Sequence, residues 1–184
     1  MDIGQIWEEF FTTWKAVITK PEEFFAQWDP AEEWRKVIVF NVICGLIGGV
    51  ITAVLTFFFG LGAIIRYPLF VLVGTFVGGI VLFVCFKIFG GKGDIEATIK
   101  MVGYTQAVRV FYVGIPFVGF IFSFLAGIYQ IWLLIAGGKV VHQVDSTKAA
   151  MAVLLPVAIM GLFSLLAAVL AGVGWMAMMH AGGG

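Results

Sequence analysis

Gly90–Gly114, GGKGDIEATIKMVGYTQAVRVFYVG, is the stretch whose reading decides the fold. It carries Lys100 and Arg109, so it is too charged for an ordinary membrane span, yet it is too apolar for an ordinary loop. Long uncharged runs adjoin it on both sides: Val37–Ile65, Tyr67–Phe86, Val110–Gly138 and Ala149 to the end. Apolar residues make up 61% of the 184-residue chain and charged residues 12%, with a mean hydropathy of +1.06. A soluble fold of this size cannot hide that much apolar side chain, so the bilayer is the solvent for most of it. The expected class is therefore all-α, a polytopic integral membrane protein.

Hydropathy alone yields four spans, because only eight uncharged residues separate Lys100 from Arg109 (101 to 108). Charge placement favours a fifth. With five spans and a cytoplasmic N-terminus, Lys15, Lys20, Arg35, Lys36, Lys87, Lys92, Lys100, Lys139 and Lys148 lie inside, against Arg66 and Arg109 outside. Four spans would move Lys139 and Lys148 out and bring Arg109 in, a weaker bias. Lys100 and Arg109 stand about 13 Å apart along a helix, so each can snorkel towards its own headgroup layer and anchor a short span. The predicted spans are about 37–61, 67–87, 96–112, 117–136 and 149–172. Asp94 is expected to cap the third and one of Asp145, Ser146 and Thr147 the fifth, with an outer turn at Gly114–Pro116 and the C-terminus outside. Glu96 and Lys100 form an i, i+4 pair on the third.

Residues 1–29 read as an amphipathic cytoplasmic or interfacial segment before a membrane domain at 30–184. Ile3, Ile6, Trp7, Phe10, Phe11, Trp14, Val17 and Ile18 share one helical face, opposite Gln5, Glu8, Glu9, Thr12 and Lys15. Eight of the eleven acids precede residue 34, which argues against a basic head that grips nucleic acid or anionic lipid. Docking of this helix onto the chain's own spans is the favoured reading. Asp29-Pro30-Ala31-Glu32 resembles a capping box with proline at the first helical position, so the first spanning helix is expected to start there and run through the Trp34–Lys36 anchor. Gly45/Gly49 and Gly74/Gly78 are small-xxx-small pairs suited to close helix packing. Cys44 and Cys85 sit in apolar runs and read as buried hydrophobes.

No soluble catalytic signature is present: HExxH, CxxC, GxSxG and the P-loop are all missing. The expectation is no catalytic residue, no metal and no cofactor. Lys100, Tyr104, Gln106 and Arg109, with Gln130 on a later span, are the candidates for a polar path or a lipid contact, since ionisable groups at membrane depth are functional candidates by default. Anchoring is the plainer role for the two cations. Gly91, Lys92 and Gly93 form a candidate headgroup loop, in which backbone amides could cradle a phosphate. His142 and Asp145 are a possible pH-responsive pair. Asn41, Tyr129 and Gln130 read as hydrogen-bonding groups between helices.

Three segments resemble the Yip (Ypt-interacting protein) domain family of five-span membrane proteins: WKAVITKPEEFFAQW at 14–28, FGGKGDIEATIKMVGY at 89–104 and IWLLIAGGKVVHQVDSTKAAMAVLLPVAI at 131–159. The family often has a proline shortly after the position of Tyr104. Here Thr105, Gln106, Ala107 and Val108 follow, which removes the residue on which a helix break would rest. Eukaryotic members are associated with secretory-pathway membranes and Rab-type GTPases. The short acidic head is more similar to the prokaryotic branch, for which the resemblance implies the cytoplasmic membrane and no GTPase partner. It implies a non-enzymatic role in membrane organisation or lipid interaction, with membrane lipids and a second copy of the chain as partners and no nucleic acid. A small-solute or ion transporter, with Lys100, Tyr104 and Arg109 along a polar path, is the alternative from another functional class.

Overall fold

The structure is a computed structural model that describes residues 2–56, 61–111 and 118–181, except the side chains of 118 and 173–181. The expected turn at Gly114–Pro116, the Trp175 side chain and the terminal glycines 182–184 lie outside the described residues. The chain is all-helical, with no strand among the described residues. The elements are α1 (Ile3–Thr19), α2 (Pro21–Gln27), α3 (Trp34–Leu55), α4 (Ala63–Ile88), α5 (Ile95–Thr105), a 3-10 segment (Gln106–Phe111), α6 (Val118–His142) and α7 (Ser146–Ala181).

Among the described residues α3, α4, α6 and α7 are long and apolar enough to cross a membrane. The segment expected as a short third span is an 11-residue α-helix that tightens into six residues of 3-10 helix. Residues 97–108 are all buried. Asp94 caps α5 by accepting the Ala97 amide at 2.7 Å, as its position predicts. The α-helix stops at Thr105 without any proline. The Thr105 hydroxyl turns back onto the Val102 carbonyl, and the Trp14 indole N–H takes the Ala107 carbonyl at 2.9 Å.

The capping-box reading of residues 29–32 is corrected. Asp29 accepts the Ala31 amide in a local turn, and α3 starts only at Trp34, after Glu33. The Glu32 carboxylate is drawn to tertiary partners, described below, and is not available to cap a helix. At its far end α3 stops at Leu55, short of the predicted residue 61.

α3 and α4 touch through their backbones. A Cβ on Gly45 would sit 2.4 Å from the Pro68 Cα, and one on Gly49 would sit 2.7 Å from the Ala63 carbonyl, so neither position tolerates a side chain. The second pair behaves differently: Gly74 has nothing within 4 Å and Gly78 meets only the tip of Val102. Between α3 and α4, Asn41 accepts a hydrogen bond from Thr75 at 2.9 Å while donating to Val37 in its own helix. Cys44 and Cys85 are free and buried.

α1 lies across the bundle. It meets α3 where Phe10 packs on Phe40, the 3-10 segment where Trp14 bonds Ala107, and α6 where Tyr129 donates to the Ile18 carbonyl. Phe10, Val17 and Phe25 share one hydrophobic core with the spanning helices. Ile3, Trp7 and Phe11 point away from that core and are exposed, Trp7 stacked on Phe11.

Candidate functional site

The centre of the molecule is the Lys100 ammonium, 1% exposed. It does not snorkel to a headgroup layer, which corrects the anchoring expectation. An ammonium has three N–H donors. They reach the Glu96 carboxylate at 2.7 Å, the Pro30 carbonyl at 3.2 Å and the Glu32 carbonyl, while the Trp34 ring lies 5.1 Å away. The Glu96 partner is local, on the same face one turn back. The others come from the link between α2 and α3, about 70 residues earlier in the chain, where no periodicity can reveal them.

Glu32 is the second hub. One carboxylate oxygen accepts the Tyr104 hydroxyl and the Trp28 indole N–H, the latter at 2.9 Å, and the other meets Lys36 at 3.3 Å. Lys36 also pairs with Glu9 of α1 at 3.3 Å. The rings of Phe24, Trp28 and Phe40 pack around Tyr104 at centroid distances of 5.2–5.8 Å. A chain of charge-assisted bonds thus runs from α5 through the α2–α3 link to α1. Glu9, Trp28, Glu32, Trp34 and Lys36 were not singled out as site residues from sequence. The one local signal was their place in or beside the proline-acidic-aromatic element before the first span.

Above this network a cleft of about 220 Å³ opens between α1 and α3. Ile6, Phe10, Val39, Phe40 and Ile43 form its apolar wall, Glu9, Glu32, Arg35 and Lys36 its charged rim, and Thr13 and Tyr104 complete it. Of the five polar-path candidates, Tyr104 lines this cleft. Lys100 is closed off below it. Gln106 is buried and accepts the Arg109 Nε–H at 2.8 Å, so those two form a separate pair further along. Gln130 is half-buried on α6, next to the Tyr129 that holds α1.

In the candidate headgroup loop the amides already have partners inside the chain: Gly91 donates to Phe86 at 2.8 Å and Lys92 to His142 at 3.0 Å. The glycines serve a different need. A Cβ on Gly91 or Gly93 would lie 2.8 or 2.9 Å from the His142 Nδ1, so the loop closes directly onto that ring. His142 is fully buried, stacked on Phe86 at 4.1 Å, with Nε2 3.0 Å from the Thr98 hydroxyl. Asp145 faces outward instead, accepting the Lys148 amide at 2.9 Å as the cap of α7. That bond holds its carboxyl below the usual carboxylate range. The two residues of the suggested pH pair therefore serve different partners. No cluster of three or more His, Cys, Asp or Glu side chains able to hold a metal occurs among the described residues.

The Lys100–Glu32 network ties distant parts of the chain together. It is a buried polar junction that fixes an aromatic amphipathic hairpin to a membrane bundle, beside an amphipathic cleft. No curated protein and no solved structure matches the chain. The Yip1 domain description, however, matches residues 15–178, a range that begins one residue after Trp14 and takes in Glu32, Lys100, Tyr104 and His142. With most of its length so matched, this chain belongs to the Yip1 domain family.

Proposed function

We propose that this protein is a non-enzymatic organiser of the membrane, one that steps or thins the bilayer on the flank where α1 lies and takes up lipid there. The carrying observation is a mismatch of level between the two flanks. Tyr129, which holds the Ile18 end of α1, is 13 residues from His142, about 20 Å along α6, and α2 descends below it to pair Glu22 with Lys139. On that flank Glu8, Thr12, Lys15 and Lys20 are exposed. On α4, Ile80, Val81, Val84 and Ile88 continue an exposed apolar surface down to the closed end.

The helix centres disagree as well. Gly45, in the middle of α3, is level with Pro68, whereas the middle of α4 is near Thr75–Phe76, about 11 Å further along. An offset of this size strains a flat bilayer, and local thinning of the lipid is one way of relieving it, beside helix tilt. The positive-inside count supports a cytoplasmic N-terminus in a prokaryotic cytoplasmic membrane, with α5 and the 3-10 segment as a protein-enclosed crossing and the C-terminus outside.

Imaging the full chain in a lipid nanodisc tests the reading. Headgroup density on the α1 flank is expected nearer the bilayer midplane than on the α4 and α7 flank. Equal heights would reject it. So would a solute flux in liposomes that Arg109→Ala abolishes, which is the outcome the transporter reading expects.

A further inference from the structure

We infer that the cleft between α1 and α3 binds one phospholipid whose headgroup pairs a phosphate with a primary ammonium, that is, phosphatidylethanolamine. The inference rests on the lipid-interaction reading above and specifies the lipid. The rim carries two carboxylates, Glu9 and Glu32, and two cations, Arg35 and Lys36, a lining of zero net charge. Such a lining complements a zwitterion, because a phosphate and an ammonium can exchange into the ion pairs that Lys36 makes with Glu9 and Glu32, each charge meeting its opposite. The same rim disfavours an anionic headgroup, which would face Glu9 and Glu32 with no positive group of its own to offer. The exposed Glu8, Glu22 and Glu23 of the hairpin add to that repulsion.

Amine type follows from hydrogen bonding. A primary ammonium brings three N–H donors, and a carboxylate offers about four acceptor positions, more than Lys36 alone can fill on Glu9. A trimethylated ammonium brings none. The apolar wall of Ile6, Phe10, Val39, Phe40 and Ile43 then requires an acyl chain, which a free phosphoamine lacks. The exposed Ile3, Trp7 and Phe11 on the outer side of α1 place lipid next to the opening.

The test is native mass spectrometry of the full chain released from vesicles holding equal amounts of phosphatidylethanolamine, its mono- and dimethyl derivatives, phosphatidylcholine and phosphatidylglycerol, with matched chains. The expected result is one phosphatidylethanolamine retained per chain, falling stepwise with methylation to about tenfold less for phosphatidylcholine, the loss of a charge-assisted hydrogen bond. Glu9→Gln should flatten that series. Thr13→Trp, which fills the cleft, should reduce all retention, with thermal unfolding verifying that both variants fold. Equal retention of all five lipids would overturn the ethanolamine assignment and leave lipid binding standing. No retained lipid would overturn both. A series unchanged in both variants would place the lipid elsewhere and overturn the site.

Discussion

α5 and α7 are opposite solutions to life in a bilayer. α5 is short, carries Glu96 and Lys100, and with the 3-10 segment is sealed inside the protein from Ala97 to Val108. α7 is 36 residues long, has no charge after Lys148, and from Val157 to Gly172 every described residue is exposed. Hydropathy detects α7 at once and passes over α5, because it measures fitness for lipid and not for a protein interior. In this chain a long, strongly apolar helix is the least packed, and a short helix with a buried charge lies in the core.

That contrast predicts where substitutions hurt. Lys100→Met strands the Pro30 and Glu32 carbonyls and should cost about 2–5 kcal/mol, the penalty for leaving two buried acceptors unsatisfied. Lys148→Met, at the exposed start of α7, should stay within about 0.5 kcal/mol. Unfolding in detergent micelles would compare them, and similar losses would erase the distinction between the two helices.

Glycines offer the next comparison. A Cβ at Gly138 would lie 2.1 Å from the Phe86 ring, so Gly138→Leu should destabilise by about 1–3 kcal/mol through overpacking. Gly161 on α7 has nothing within 4 Å, and Gly161→Leu should be neutral, or stabilising by up to about 1 kcal/mol through helix propensity. Smaller again, Tyr104→Phe removes one hydrogen bond to Glu32 and should cost about 1–2 kcal/mol, read as earlier proteolysis of the α1–α2 hairpin.

The weakest effect belongs to the cap of α7. The folded Asp145 carboxyl is held low by the Lys148 amide, so its stabilisation is complete above the ordinary carboxylate pKa and fades as pH falls through the lowered folded value. Asp145→Asn should abolish that acid dependence and change little at neutral pH. Amide exchange at Lys148 against pH would detect it.

What was legible in the sequence follows the same division. The Asp94 cap and the Glu96–Lys100 pair are local, set by helix spacing, and sequence places them correctly; for α7 it narrows the cap to Asp145, Ser146 or Thr147, of which Asp145 serves. The four long apolar helices were visible for the same reason. The role of Glu32 was not, because its partner Tyr104 lies 72 residues away and its local pattern mimics a helix cap. His142 looked like a loop residue because nothing in its neighbourhood shows that Gly91 and Gly93 close over it. Lys100 looked like an anchor because a charge near a helix end normally is one. The Glu96 carboxylate and the carbonyls of the α2–α3 link together make its burial tolerable.

The most direct test of the account concerns depth. In a Cys44→Ala, Cys85→Ala background, a spin label would be placed at Thr12 on the polar face of α1 or at Val84 on α4, in vesicles. Val84 lies only about 6 Å from the closed end of α4, nearer that end than α1 does. The account predicts an inverted order: the label at 12 is reached by an aqueous relaxation agent, while the label at 84 is reached by oxygen and not by the aqueous agent. Aqueous access at both positions would mean a flat bilayer at the level of α1, and would contradict it.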